Sequence, residues 1–120
     1  MEFNPIIARS FAEEWIGAWN SHDLASIMQH YADDVDFSSP FIKRLGMNDE
    51  GFIHGRGTLE AYFAKALTAY PDLYFELHET LTGADSVVLY YTSVNNKKAA
   101  ELMQFDNSGK IKWVKAHYND

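Results

Sequence analysis

The feature that most constrains the fold is a change in the spacing of apolar residues at Pro71-Asp72. Before this point, apolar residues recur every three or four positions, which is the period of one helix face. After it, apolar and polar residues alternate, which is the period of a half-buried strand. A chain that is mostly helical first and then runs into consecutive strands predicts an α+β domain, with helices on one face of a sheet.

Three helices are predicted before the change in period. The first follows Asn4-Pro5, an N-cap with proline in the first turn. The second follows Asp23, a typical N-cap residue. The third begins at Thr58 and is stopped by Pro71. Their apolar stripes are Ile7, Phe11, Trp15 and Trp19; Leu24, Ile27, Met28 and Tyr31; and Leu59, Tyr62, Phe63, Ala66, Leu67 and Tyr70.

Five strands are predicted, one before the third helix and four after it. The first covers residues 35–39 and ends at Pro40. The last four are antiparallel, because short turn signals such as Asn95-Asn96 separate them. Residues 40–57 are predicted to form a long loop. Loops of this length are uncommon, so the segment is either a lid over a site or a partly ordered strand with a surface loop.

Composition limits the partners that the protein can have. The formal net charge is −7, from 10 basic and 17 acidic residues, and no basic run is longer than Lys97-Lys98. Nucleic acids and anionic membranes attract positive surfaces, so neither is expected as a partner. The chain has no cysteine, and no apolar stretch approaches the roughly 20 residues of a membrane span. Its start does not resemble a signal peptide, so a soluble cytoplasmic protein is expected.

One carboxylate has an unusual place in the strand KAAELMQF (98–105). If side chains alternate between faces, Glu101 shares its face with Ala99, Met103 and Phe105, which favour a core. The pattern alone leaves two alternatives. Glu101 lies on the outer sheet face or pairs with a lysine of its own or a neighbouring strand, or it faces an apolar cavity where desolvation raises its pKa. The candidate lysines are Lys98, Lys112 and Lys115.

Five local strings carry a resemblance to a known family: WIGAWNSHDL (15–24), HYADDVDFSSP (30–40), GRGTLEAYFAKAL (55–67), YPDL (70–73) and FDNSGKI (105–111). They resemble the nuclear transport factor two-like superfamily, and most of all its SnoaL-like polyketide cyclase branch, which is related to the ketosteroid isomerases. The resemblance implies a single SnoaL-like domain over residues 1–120, a cone-shaped α+β fold with three helices packed on a strongly curved, mostly antiparallel sheet. It specifies function poorly, because the superfamily contains several enzyme classes and non-catalytic members.

The resemblance implies one candidate catalytic residue. SnoaL-like cyclases carry their proposed acid/base aspartate four residues before the phenylalanine of the FDNSGK-type turn. Ketosteroid isomerases carry an oxyanion-hole aspartic acid at the same position. Counting back from Phe105 gives Glu101, so the resemblance places a longer acid there.

Other functional positions of the ketosteroid isomerases are altered. Their proton-shuttling aspartate corresponds to Ser39, which cannot act as a base at neutral pH. Their tyrosine donor on the first helix corresponds to Trp15, whose indole N–H can donate one hydrogen bond. Two further pocket tyrosines correspond to Tyr31 and to Phe63. A site with one candidate carboxylate argues against a true ketosteroid isomerase.

A pocket between the helices and the sheet is expected to bind a small apolar molecule. A carboxyl group that titrates near neutrality can act as a general acid or base on a carbonyl compound, which fits isomerisation, cyclisation or dehydration of a polyketide- or steroid-like molecule. Two alternatives stay open: a non-catalytic binding module, and an interaction adaptor with a filled interior. The candidate ligand-binding residues are Trp15, Trp19, Tyr31, Phe37, Ser39, Phe63, Met103 and His117.

Neither a metal nor a cofactor is expected, because no two of the five histidines have the close spacing of a zinc motif. His117 is either a proton-transfer partner at the pocket mouth or an ordinary sheet histidine, and His54 lies in the possible lid. The resemblance implies a homodimer through the outer sheet face. The strand at 86–94, apolar on both faces, and Trp113 are consistent with burial there.

Overall fold

A six-stranded mixed sheet is the frame of the structure, a computed structural model that describes residues 3–119. Its strands are β1 (Tyr31–Ser38), β2 (Phe52–His54), β3 (Glu76–Thr82), β4 (Ser86–Thr92), β5 (Lys98–Phe105) and β6 (Ile111–Tyr118). They lie in the order β2-β1-β6-β5-β4-β3. Strands β1 and β6 run parallel, and the other neighbouring pairs are antiparallel. The predicted α+β class is confirmed, with β5 in the interior of the sheet.

The helices are α1 (Pro5–Asn20), α2 (Leu24–Met28), α3 (Pro40–Arg44) and α4 (Arg56–Ala69). Helix α1 begins where predicted, because the side chain of Asn4 accepts a hydrogen bond from Ile7 N at 2.9 Å. The side chain of Asp23 caps α2 in the same way. The buried face of α1 contains Ala8, Ala12, Trp15, Ala18 and Trp19.

The chain enters the sheet earlier than the sequence predicted. Tyr31 was assigned to the apolar stripe of the second helix, but α2 ends at Met28 and β1 begins at Tyr31. The cause is long-range pairing with β6, where Tyr31 lies opposite Ile111 and Ile111 N donates to His30 O. Backbone pairing of this kind overrides a local helical pattern.

Residues 40–57 do not form one continuous loop. Ser39 caps α3, its Oγ accepting from Phe41 N at 3.2 Å, and Phe41 and Ile42 are buried. Strand β2 then pairs with β1, with Ile53 opposite Phe37. The alternative of a partly ordered strand with a surface loop is therefore closer to the structure than a detached lid. Helix α3 and strand β2 are added to the predicted set, and a short 3₁₀ helix, Val94–Asn96, forms at the predicted turn between β4 and β5.

Strand β3 departs from the predicted alternation at its far end. By the alternation that begins after Pro71-Asp72, Leu81 would share the face of Leu77, but Leu81 is 56% exposed. The register between β3 and β4 shifts between Leu77 and Glu79, and this irregularity changes which side chains face the core. Leu73 and Phe75, which precede β3, are buried in the core.

The core lies between α1, α4 and the inner face of the sheet, and aromatic side chains fill much of it. Within residues 3–119, no helix is both long enough and apolar enough to cross a membrane.

Candidate active site

Glu101 is buried on the inner face of β5. Burial alternates strictly along this strand, and Glu101 is only 3% exposed. It shares its face with Ala99, Met103 and Phe105, and its neighbours across the sheet are Leu89 on β4 and Ala116 on β6. The alternative of an outward-facing glutamate paired with a surface lysine is therefore wrong.

A single tyrosine hydroxyl holds the carboxyl group of Glu101. Tyr91 Oη donates a hydrogen bond to Glu101 Oε1 at 2.7 Å, and Tyr91 is 1% exposed. Burial disfavours the charged form and raises the pKa of Glu101 to about 7, while the hydrogen bond from Tyr91 acts in the opposite direction. Near neutral pH the carboxyl group is therefore present in both protonation states, as acid/base catalysis requires.

A cavity of about 50 Å³ lies beside Glu101. Pockets for drug-sized ligands are typically several hundred Å³, and an engineered cavity that binds benzene has a volume of about 150 Å³. In this conformation the cavity has no room for the steroid-sized molecule expected from the sequence. Its walls are Trp15, Trp19, Phe37, Phe41, Leu45, Tyr62, Phe63, Ala66, Tyr70, Leu73, Phe75, Tyr91, Ser93, Val94, Glu101 and Tyr118.

The two tryptophans of α1 both line the cavity but differ in their hydrogen bonds. Trp15 Nε1 donates to Tyr31 Oη at 3.0 Å, and both residues are buried. Trp19 Nε1 is also buried, but it has no hydrogen-bond partner among the residues that the structure describes. The indole N–H that remains available is thus on Trp19, whereas the family comparison of positions had pointed to Trp15.

The candidate ligand-binding residues separate into two groups. Trp15, Trp19, Phe37 and Phe63 line the cavity with Glu101. The other four, Tyr31, Ser39, Met103 and His117, are absent from its walls.

These four residues have other surroundings. Tyr31 accepts from Trp15, and Met103 is fully buried in the core. Ser39 caps α3. His117 is exposed and lies opposite Ala100 on the outer side of the sheet, because alternation along β6 turns Ala116 and Tyr118 inward instead.

A group of buried hydroxyls lies next to the carboxyl; Ser39 in this group was a candidate from the sequence, whereas Tyr91 and Tyr118 were not. The hydroxyl of Tyr118 interacts with those of Tyr91 and Ser39, and Ser39 also interacts with Tyr62. Burial raises the pKa of Tyr91 and Tyr118 well above the ordinary tyrosine value, so both stay neutral donors. Tyr91 was hidden in a strand that is apolar on both faces, although its phase with Val87 and Leu89 places it inside.

Other polar groups lie away from the cavity. His54, from the possible lid, pairs with Asp36 at 2.6 Å between Nδ1 and Oδ1, and both side chains are substantially exposed. Across residues 3–119, no three His, Asp or Glu side chains come together as metal ligands would. Trp113 is half-buried on the outer sheet face. Pairing of two copies through that face stays a prediction.

The chain belongs to the SnoaL-like family, because the family model for the SnoaL-like domain matches residues 12–112. It is 37% identical to a SnoaL-like protein of unknown function from Burkholderia thailandensis, with 100% of each chain covered and a TM-score of 0.94. No protein with a curated description matches it.

Two more distant structures share the fold. A candidate isomerase of the SnoaL-like family from Agrobacterium tumefaciens is 14% identical, with 94% of this chain and 97% of that chain covered and a TM-score of 0.74. A candidate ketosteroid isomerase from Kribbella flavida is 14% identical, with 94% and 78% covered and a TM-score of 0.68.

Proposed function

We propose that this protein is an enzyme that uses Glu101 as a general acid/base on a small carbonyl compound, without a cofactor. The observation that carries the proposal is the environment of this one carboxyl group. It is buried beside a cavity, its pKa is raised to about 7, and a tyrosine rather than a basic side chain is its hydrogen-bond partner. Carboxyl groups with perturbed pKa values that lie in clefts are concentrated at catalytic sites.

The chemistry follows from the two protonation states of Glu101. The ionised carboxylate accepts a proton from the carbon next to a carbonyl, and the resulting acid returns that proton to the same or another carbon of the substrate. When the proton returns to another carbon, the net change is isomerisation, with no atom gained or lost; return to the same carbon only exchanges the proton. Because Ser39 stands where the isomerases carry their base, both transfers fall to Glu101. Tyr91, held neutral by burial, keeps the carboxyl group oriented between the two steps.

The size of the cavity sets the substrate that the closed protein accepts. A volume of about 50 Å³ admits only the reacting end of a molecule or a very small ketone or aldehyde. Four residues of the cavity wall also line an outer cleft of about 510 Å³. This shared wall supports entry of the substrate into the cavity from the cleft. A larger ligand therefore requires movement of these shared residues, which are Tyr70, Leu73, Ser93 and Val94.

The small volume also favours a second candidate, a non-catalytic module of the same fold that only binds a small molecule. Such a protein would use the same aromatic walls and the same carboxyl group. It differs from the first proposal in one respect, because binding would occur without proton transfer to or from the ligand.

Exchange of carbon-bound protons for deuterium tests the proposal. With acetone as the probe in D₂O, we expect the wild-type protein to accelerate exchange of the methyl protons, followed by NMR. Glu101→Gln should reduce the protein-dependent rate about 100-fold or more, since a positioned acid/base typically contributes that much. The matched control is Glu60→Gln, an exposed carboxylate on α4 that should have the wild-type rate.

Equal exchange rates for the wild-type protein and Glu101→Gln would exclude Glu101 as the acid/base. Saturable acetone binding without any acceleration of exchange would favour the non-catalytic module.

A further inference from the structure

Trp19 lines the cavity, and its indole N–H is an unused donor. It is buried, and within residues 3–119 it finds no acceptor. A buried donor without a partner costs on the order of 1–3 kcal/mol, so few persist in folded proteins. Trp15, one helical turn earlier and in the same wall, has its N–H satisfied by Tyr31. The fold of residues 3–119 therefore leaves the indole N–H of Trp19 without a hydrogen-bond acceptor.

The surroundings of Trp19 hold its ring in this position. Its ring contacts Phe63 edge to face, with ring centroids 4.8 Å apart, and Phe75 at 5.5 Å. Asn20 locks Phe75 in turn, donating from Nδ2 to Phe75 O at 2.9 Å and accepting from Phe75 N at 2.6 Å. An indole packed between two phenylalanines cannot swing away to find another acceptor.

The rest of the wall indicates the charge of the molecule that fits. Among the residues described, none lining the cavity is lysine or arginine. Glu101 is the one acidic residue there and is itself partly ionised near neutral pH. An anionic ligand would meet this charge without a cation to balance it. A cation would meet the positive end of the indole N–H bond. A neutral molecule with an acceptor oxygen avoids both repulsions and gives the indole N–H a partner.

We propose that Trp19 Nε1–H donates a hydrogen bond to the oxygen of a small neutral carbonyl ligand that is bound against Glu101. The inference rests on the proposed function, because it assigns the second polar contact of the same site. It makes Trp19, and not Trp15, the donor that stabilises negative charge on that oxygen when Glu101 removes a proton from the neighbouring carbon.

Indole NMR signals test this contact directly. The chain has three tryptophans, so protein labelled with ¹⁵N gives three indole N–H signals, which Trp→Phe variants assign. On titration with acetone, we expect the Trp19 signal to move saturably, as a free N–H becomes hydrogen-bonded. The Trp113 signal, from the outer sheet face, should stay in place.

Three variants separate the donor from the packing. Trp19→Phe should weaken acetone binding about three- to tenfold, the usual range for one hydrogen bond to a neutral group. Trp15→Phe removes an equal indole from the same helix but no free donor, so its loss of affinity should be smaller. Trp113→Phe should leave the affinity unchanged. The remaining indole signals report whether each variant is folded.

The outcomes distinguish this inference from the proposed function. If acetone binds while the Trp19 signal stays in place, or if Trp15→Phe weakens binding as much as Trp19→Phe, the role of Trp19 is overturned. The role of Glu101 is then still decided by the deuterium-exchange rates of the wild-type protein and Glu101→Gln. If the Trp19 signal moves saturably but exchange is not accelerated, the contact stands and catalysis fails. No saturable change at any indole in the wild-type protein overturns the inference.

Discussion

The two ends of the aromatic core lie against the same face of β5, but their surroundings differ. At one end, which we call the Phe105 end, the rings of Phe3 and Phe11 meet Phe105 edge to face, with centroids 4.5 and 5.0 Å away. At the other, the Glu101 end, aromatic rings surround a carboxyl group and a cavity of about 50 Å³. Phe105 and Glu101 lie on one face of β5.

One sheet face thus supplies both stability and a group suited to proton transfer. Edge-to-face rings gain free energy from burial and from their quadrupoles, so the Phe105 end stabilises the domain. A buried carboxyl group without a cation loses free energy whenever it ionises, so the Glu101 end destabilises the domain at high pH. We expect changes at the first end to act on folding and changes at the second to act on proton binding.

The largest expected effect is at the Phe105 end. Phe105→Ala should lower the free energy of unfolding by about 3–5 kcal/mol, the usual cost of removing a buried phenylalanine ring. Urea denaturation measures this change. Phe11 is only half-buried, so Phe11→Ala should cost less and is the matched control. A loss below about 1 kcal/mol for Phe105→Ala would mean that this end is not the main source of stability.

The next effect in size is a pH dependence of the free energy of unfolding, which Glu101 introduces. Its pKa is about 7 when folded against an ordinary value of 4.5, so between these pH values the folded state binds more protons than the unfolded state. Stability from this group is therefore full below pH 4.5 and is lost as the pH rises to 7 and just above it. The loss is of order 3 kcal/mol by linkage.

Glu101→Gln should remove this dependence. The difference in free energy of unfolding between the variant and the wild-type protein, measured by urea denaturation from pH 4 to 9, should favour the variant increasingly as the pH rises. Glu60→Gln, at an exposed position, should give a flat difference. A flat difference for Glu101→Gln as well would show that Glu101 ionises without cost, which contradicts the contrast between the two ends.

The smallest expected effect tests the hydroxyl that holds Glu101. The hydrogen bond from Tyr91 lowers the pKa of this carboxyl, so Tyr91→Phe should raise the pKa further. We expect the midpoint of the pH-dependent stability to move up by about one pH unit, since hydrogen bonds to charged groups contribute about 1.5–3 kcal/mol. Tyr90→Phe removes a hydroxyl from the neighbouring exposed residue of β4 and should leave the midpoint in place. A downward move for Tyr91→Phe would contradict the assignment.

Local patterns were sufficient for most elements, whereas for Glu101 they left both the outward and the inward direction open. The four-residue recurrence predicted that Trp15 and Trp19 are buried on α1, although Ile7 of the same stripe is exposed. Alternation along β5 predicted the shared face of Glu101 and Met103. These predictions depend only on the period of a helix or strand. The shift of Tyr31 into β1 could not be predicted in this way, because its pairing partner Ile111 is eighty residues further along the chain.

The sequence by itself determined the α+β class, the order of the main elements and the position of one acid on an apolar strand face. These properties follow from periodicity and from single residues that start or stop elements. Only the tertiary structure decided that Tyr91 holds that acid, that Trp15 is paired while Trp19 is not, and that His117 faces away from the cavity. The physical reason is that hydrogen bonding and burial depend on atoms brought together from distant segments, and no local pattern records which atoms those are.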